Sequence, residues 1–341
     1  MKKIYFIFYI LMLSFFSNID AECSIEKYAV LFNGGYQSSY NYAAYYNDMR
    51  QMYDVLLNIY EFPEEHIIIL QSDGQNSTND LRFKYANGSN YYVNSAWDLD
   101  TDGDYDIESG AATSQNLFAE FTALSSIIDS DDLFYFWATG HGANDPGVLN
   151  ASLAGWNSTL FSDANFASAV SSIIAGTEIY VFGQCYSGAF IDNLTGQSNA
   201  IIVTACDSEE LSWTWYNTPT VQYQWGTYTN NTGDRSLFLK EWAKALSGYA
   251  DYNSDGEITM FEAFYYAEHN DYTGPYGAVP KENPKYNDIF NIGGLVTLNN
   301  WEGSPVPEHL FPVCILAIMV FSGFHSSHYP GYPHDYCLMC C

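Results

Sequence analysis

The feature that most constrains this chain is a succession of short, unbroken apolar runs separated by stretches of helical period. Tyr28–Phe32 (YAVLF), Ile67–Leu70 (IIIL), Leu133–Ala138 (LFYFWA), Ile179–Phe182 (IYVF) and Ile201–Ala205 (IIVTA) are such runs. Helical spacing occupies Tyr40–Tyr60, Ser114–Ile128 and Asn165–Ile174 between them. A strand that is apolar on both faces must be covered on both. The pattern therefore predicts a mostly parallel sheet between two helical layers, an α/β sandwich. No internal repeat interrupts it, and Gly/Pro-rich linkers appear only after residue 302, so residues 22–302 are expected to form one domain. Hydrophobic residues make up 48% of the chain and aromatic residues 18%, ample material for a large core.

Lys and Arg number 11 against 40 Asp and Glu, a formal charge of −29. Binding phosphate needs a basic face, which argues against nucleic acid and anionic membrane surfaces as partners. Residues 1–21 read as a secretory signal, with Lys2 and Lys3, the apolar run Ile4–Phe16 and small Ala21 at a cleavage point. Sequons begin at Asn76, Asn87, Asn150, Asn157, Asn193 and Asn230. Together these fit a glycosylated protein of the secretory pathway, extracellular or endolysosomal. At the other end, residues 303–341 form a tail whose hydrophobic segment, Leu310–Phe324, is broken by Pro312. It is short of the roughly 20 residues that span a bilayer. Membrane anchoring is one reading of it; an unpacked tail or an imperfect gene model are the others. Cys314, Cys337, Cys340 and Cys341 lie in this tail and could be acylated or bind metal. Cys23, Cys185 and Cys206 remain in the body, an odd number and no disulfide scaffold.

In open parallel sheets, ligands bind beyond the carboxyl ends of the strands. There LFYFWA runs into Thr139-Gly140-His141-Gly142-Ala143, IYVF into Gly183-Gln184-Cys185-Tyr186-Ser187-Gly188, and the first strand into Asn33-Gly34-Gly35. A Cys and a His at neighbouring strand ends can meet across one sheet edge. The imidazole then activates the sulfur and later protonates the leaving amine. Flanking glycines let backbone approach a substrate, and backbone N–H groups there could stabilise an oxyanion. Singly, a cysteine behind an apolar strand is most often a small buried hydrophobe, and a histidine in a Gly-rich turn only a turn residue. Their joint placement brings catalysis level with those readings.

TGHGA and QCYSG resemble the His-Gly and Cys elements of the caspase-like cysteine peptidase clan. Within it, the chain is most similar to the legumain (asparaginyl endopeptidase) family, which includes the catalytic subunit of the glycosylphosphatidylinositol transamidase. YAVLFNGGY resembles the family's first strand and Asn-Gly turn, ATSQNLF the start of its helix before the His strand, and IIVTACDSEELSW the strand and loop after the Cys. The resemblance covers roughly residues 26–300. It implies a caspase-like three-layer α/β/α sandwich with Cys185 as nucleophile and His141 as acid/base. It further implies an oxyanion hole from the N–H groups of Gly142 and Cys185, Asn33 orienting the histidine, and Ser212 bordering the substrate pocket. Where the family carries an Arg-His pair this chain has Ser39 and Tyr40, which puts a preference for Asn in doubt. Gly140 replaces the Asp that legumains place before the His-Gly pair, as in the transamidase, and the long C-terminal inhibitory domain is missing.

Two acidic loops carry a different chemistry. Asp251-Tyr-Asn253-Ser-Asp255-Gly256-Glu257-Ile258-Thr259-Met-Phe-Glu262 matches the EF-hand loop. Oxygen ligands fall at positions 1, 3, 5, 7 and 9, glycine at 6 makes the turn, and Glu262 at 12 binds bidentately. Helical patterns at Leu237–Leu246 and Phe261–His269 flank it. Asp98, Asp100, Asp102 and Asp104 repeat the first half of the pattern, but that loop ends on Ser109 with Glu108 one place early. Calcium is the expected ion, with a structural role at 251–262 and a second site at 98–109 as the alternative to a solvated loop. The expected function is a calcium-stabilised cysteine endopeptidase acting on peptides or proteins. A transamidase of the same family and a catalytically silent calcium-binding protein of the same fold are the other readings.

Overall fold

The computed structural model describes residues 26–84, 89–144, 150–195, 199–215, 235–271 and 282–299. The signal segment 1–21, Cys23, the sequons at Asn87 and Asn230, and the tail 303–341 lie outside them. Among the described residues no helix is long and apolar enough to cross a membrane.

The chain opens with β1 (Lys27–Asn33), α1 (Ala43–Asn58) and β2 (Ile67–Gln71), then the hairpin of β3 (Leu81–Lys84) and β4 (Asn90–Val93). Helix α2 (Ser114–Leu124) leads into β5 (Leu133–Thr139). A small antiparallel sheet follows, β6 (Gly142–Asn144), β7 (Ala151–Gly155) and β8 (Thr159–Ser162). Next come α3 (Asp163–Val170), β9 (Thr177–Phe182), α4 (Phe190–Leu194) and β10 (Ala200–Thr204). The last elements are the paired β11 (Thr214–Trp215) and β12 (Arg235–Ser236), α5 (Leu237–Lys244), α6 (Met260–Asn270) and β13 (Lys285–Asp288).

The central sheet has six strands in the order β13-β10-β9-β5-β1-β2. All neighbours are parallel except β13, which runs antiparallel to β10. The chain steps outward from β1 to β2, then returns to place β5 on the other side of β1. Beyond the carboxyl ends of β1 and β5 lies the switch point at which open α/β sheets bind ligands.

Every residue of β5, β9 and β10 is buried, as unbroken apolar runs require. Alternate residues serve two separate cores. Ala29, Leu31, Tyr135, Trp137, Ile179 and Val181 face α1, α5 and α6 through Met49, Met52, Phe238, Trp242 and Ala263. Val30, Phe32, Phe134, Phe136, Tyr180 and Phe182 face α2, α3 and α4 through Leu117, Phe121, Phe166 and Phe190. This is the three-layer α/β/α sandwich that the sequence pattern predicts.

Helix starts are set by short polar side chains. The Thr113 hydroxyl accepts from Asn116 N in the ATSQNLF segment, and the Ser162 hydroxyl from Asn165 N. The helix expected over Leu237–Leu246 ends as regular α-helix at Lys244. An irregular kink over Ala245–Tyr249 follows, in which Ser247 and Gly248 leave helical geometry, Gly248 at φ +100°.

Candidate active site

The register of the sheet brings the two reactive residues level. Ala138 on β5 pairs with Phe182 on β9, so His141 and Cys185 both stand three residues beyond a matched pair. Gly142 packs directly on the cysteine turn, where a Cβ would overlap the Cys185 carbonyl oxygen. Both residues are buried, His141 at 7% exposure and Cys185 at 0%. The residue after the cysteine, Tyr186, is left-handed at φ +61°, and its N–H donates to the Glu210 carbonyl at 2.8 Å. That left-handed turn directly follows Cys185, three residues past the end of β9.

The imidazole is held by a backbone carbonyl. His141 Nε2 lies 2.8 Å from the Tyr40 carbonyl oxygen, which can only accept, so Nε2 carries the proton. Nδ1 is then the bare nitrogen; it is buried and has no hydrogen-bond partner among the described residues. The rings of Tyr40, Tyr42 and Tyr45 surround the imidazole edge-on at 5.9, 5.3 and 5.3 Å. Burial pushes His141 down to about 4; the Tyr40 bond opposes the shift, and the Arg82 charge adds to it. Arg82 reaches this neighbourhood from β3, stacked on Tyr42 with its guanidinium carbon 4.0 Å from the ring centroid.

The role expected for Asn33 is not made as a direct contact. Its amide donates to Asn41 Oδ1 at 3.0 Å and Gln71 Oε1 at 3.1 Å, and its oxygen accepts from Gly35 N at 3.1 Å. It lies beneath the histidine turn. Gly140 has φ +111°, and a Cβ there would fall 2.9 Å from Asn33 Oδ1. The Tyr40 carbonyl takes the orienting bond instead. Gly140 is thus explained by backbone geometry alone.

Ser212 meets the sulfur: its N–H donates to Cys185 Sγ at 3.3 Å, and its hydroxyl lies 3.7 Å away. Gln184 was not singled out by sequence reasoning beyond its place in QCYSG. Its carboxamide is fully buried beside Cys185 and Gly142, and among the described residues neither its nitrogen nor its oxygen has a hydrogen-bond partner. Cys206 is a second free thiol, with Sγ 3.4 Å from Ser187 Oγ. Burial pushes it up to about 12, which makes it inert beside Cys185.

The two acidic loops fold alike. In each, the carboxylate at position 1 accepts from the N–H at 6, at 3.1 Å for Asp98–Gly103 and for Asp251–Gly256. The side chain at position 5 accepts from the N–H at 7, Asp102 from Asp104 and Asp255 from Glu257, both at 2.9 Å. Positions 4 and 6 are left-handed in both. The carboxylates are arranged differently. Oxygens of Asp98, Asp100 and Asp106 lie within 4.8 Å of one another, so Asp106 replaces the expected Asp102 and Asp104 in the cluster. Beside Asp251, Asn253 and Asp255, Glu262 is engaged at the helix start. The Glu262 carboxylate accepts from Thr259 N at 3.0 Å, and the Thr259 hydroxyl accepts from Glu262 N at 3.2 Å, closing a capping box at the start of α6. Both loops keep an oxygen donor set that suits a hard cation.

A search of curated proteins returns no match to this chain. The profile of the Peptidase C13 family matches residues 27–270, most of the chain and every element from β1 to α6. With that match, the chain belongs to the peptidase C13 family, the legumain and transamidase group of cysteine peptidases with a caspase-like fold.

Proposed function

We propose that Cys185 is the nucleophile and His141 the acid–base of a cysteine endopeptidase working through an acyl-enzyme. The observation that carries this reading is the fixed tautomer at a matched strand end. Nε2–H is taken by Tyr40, so Nδ1 is the nitrogen left to accept the Cys185 proton. The thiolate attacks the peptide carbonyl carbon, and the N–H groups of Gly142 and Cys185 receive the oxyanion. The C–N bond breaks as His141 returns its proton to the leaving amine. Water, deprotonated by the same imidazole, then opens the thioester and restores the thiol. These steps start from a neutral imidazole, and burial favours that form above about pH 4. Asn33 supports the histidine turn, and Ser212 borders the pocket.

Cys185→Ala should abolish peptide hydrolysis and leave the melting temperature near wild type. Retained cleavage would sink the assignment. An amine resolving the thioester in place of water gives transamidation, and product analysis with an added amine nucleophile separates the two. Labelling of Cys185 by a peptidyl electrophile distinguishes both from a silent protein.

We also propose calcium at 98–109 and 251–262. Bound there, the ion would offset the repulsion among the carboxylates and pin each loop to the domain. The first loop is already fastened to β2, where Glu108 N donates to Ile69 O at 2.9 Å. A secretory-pathway location, extracellular or endolysosomal, completes the proposal. The sequon residues Asn76, Asn150 and Asn157 are exposed and open to glycosylation. Peptide mapping after glycosidase treatment tests this, and unmodified sites would remove that support.

A further inference from the structure

The bond that fixes the His141 tautomer comes from a turn at the surface, and something must hold that turn still. Tyr40, whose carbonyl accepts the Nε2–H at 2.8 Å, leaves its own side chain 44% exposed. Within the turn, Tyr40 N and Asn41 N both donate to the Gln37 carbonyl, at 2.8 and 3.0 Å. Those bonds close the turn but do not tie it to the domain. Two other sets of contacts do. From the sheet side, Asn41 Oδ1 accepts from Asn33 Nδ2 at 3.0 Å, and the Asn41 amide donates to the Asp80 carbonyl at 3.0 Å.

The second anchor is Arg82 of β3. Leu81 and Phe83 join the core, so the alternation of the strand turns Arg82 the other way. Its backbone N–H donates to the Asn41 carbonyl at 2.8 Å, and a bridge pairs it with Tyr42. Its guanidinium donates through Nη1 to the Ser39 carbonyl. The same guanidinium stacks on the Tyr42 ring, 4.0 Å from the centroid, and that ring meets the imidazole at 5.3 Å. Arg82 thus grips residues 39, 41 and 42, on both sides of the carbonyl that orients the histidine. A planar, permanently charged guanidinium can stack and donate at once, which a lysine ammonium cannot. Its charge also acts in the same sense: burial first, and then Arg82, favour the neutral imidazole against the pull of the Tyr40 bond.

We propose that Arg82 is a positioning residue for His141, holding the Ser39–Tyr42 segment so that the Tyr40 carbonyl meets Nε2–H and Nδ1 stays bare for the Cys185 proton. The role rests on the peptidase reading above. Without Arg82 the Tyr40 carbonyl drifts from the ring, and the proton exchanges between the two nitrogens. Molecules that present Nδ1–H to the sulfur still bind substrate but cannot accept the thiol proton. The loss therefore falls on kcat and spares KM.

The test is nitrogen NMR of the full chain labelled at histidine, beside kcat and KM for peptide hydrolysis. His141 is assigned by the signals missing from His141→Asn. In wild type its two nitrogens should show well-separated shifts, a protonated Nε2 and a bare Nδ1. Arg82→Met keeps an apolar stem but removes donor, flat face and charge, and should draw those shifts together. Its kcat should fall about ten-fold, the loss of one charged hydrogen bond, with KM within about two-fold. Arg82→Lys keeps a charged donor without the flat face and should recover part of both losses. Wild-type nitrogen shifts in every Arg82 variant that folds overturn the proposal. So does a failure of both variants to fold, which would make the arginine purely structural. The nitrogen shifts need no turnover, so a wild-type protein that cleaves no peptide counts against the peptidase reading alone.

Discussion

His141 gives its Nε2–H to the backbone carbonyl of Tyr40 at 2.8 Å, from inside a ring of three tyrosines. The first prediction follows from that burial. With the imidazole pushed down to about 4, the acid limb of kcat/KM should lie near pH 4 instead of at the ordinary histidine value. Stability follows the same group. Its folded pKa is below its unfolded value, so its contribution is complete above about 6.5 and is lost as pH falls toward 4. The loss should reach roughly 3 kcal/mol and should be missing from a His141→Asn variant, read as melting temperature against pH.

Gly142 has no room for a side chain against the Cys185 carbonyl. Gly142→Ala should push β6 off the cysteine turn, lower kcat/KM by about a hundred-fold and cost about 1–3 kcal/mol. Equal activity in the variant would remove Gly142 from the oxyanion site.

Asn33 joins Asn41, Gln71 and Gly35 in a buried network below the histidine turn. Asn33→Ala orphans those groups and should destabilise the protein by about 1–3 kcal/mol. Because the histidine is held by Tyr40, kcat should fall less than in a Cys185 or His141 variant. A loss as complete as theirs would make Asn33 a direct partner in catalysis.

Phe166 packs against Phe121, Phe136, Tyr180, Phe182 and Phe190 between α2, α3, α4 and the sheet. Phe166→Ala should cost about 3–5 kcal/mol, measured by denaturant unfolding. It leaves the opposite face of the sheet intact.

At calcium tens to a hundred times its dissociation constant, each occupied loop should add about 2–3 kcal/mol. Chelator should lower the melting temperature, and Asp98→Asn with Asp100→Asn should remove the part due to the first loop. The gathered carboxylates of Asp98, Asp100 and Asp106 favour that loop filling first, which calorimetry on the two loop variants would reveal.

The parallel sheet, its two covering layers and the strand-end placement of His141 and Cys185 were legible in the sequence. Continuous apolar runs and Gly-flanked turns are local signals that need no partner to be read. β13 was not legible, because KYND is half-buried and polar and becomes a strand only by pairing with β10. The Tyr40 carbonyl was not legible either, since every residue carries one and only the fold chooses which faces the ring. Glu282 accepts from Trp213 N and Phe238 N, and no spacing rule links it to either. Sequence by itself determined which residue types stand at the strand ends. Tertiary structure decided which backbone groups face them, because hydrogen-bond direction depends on positions that only packing sets.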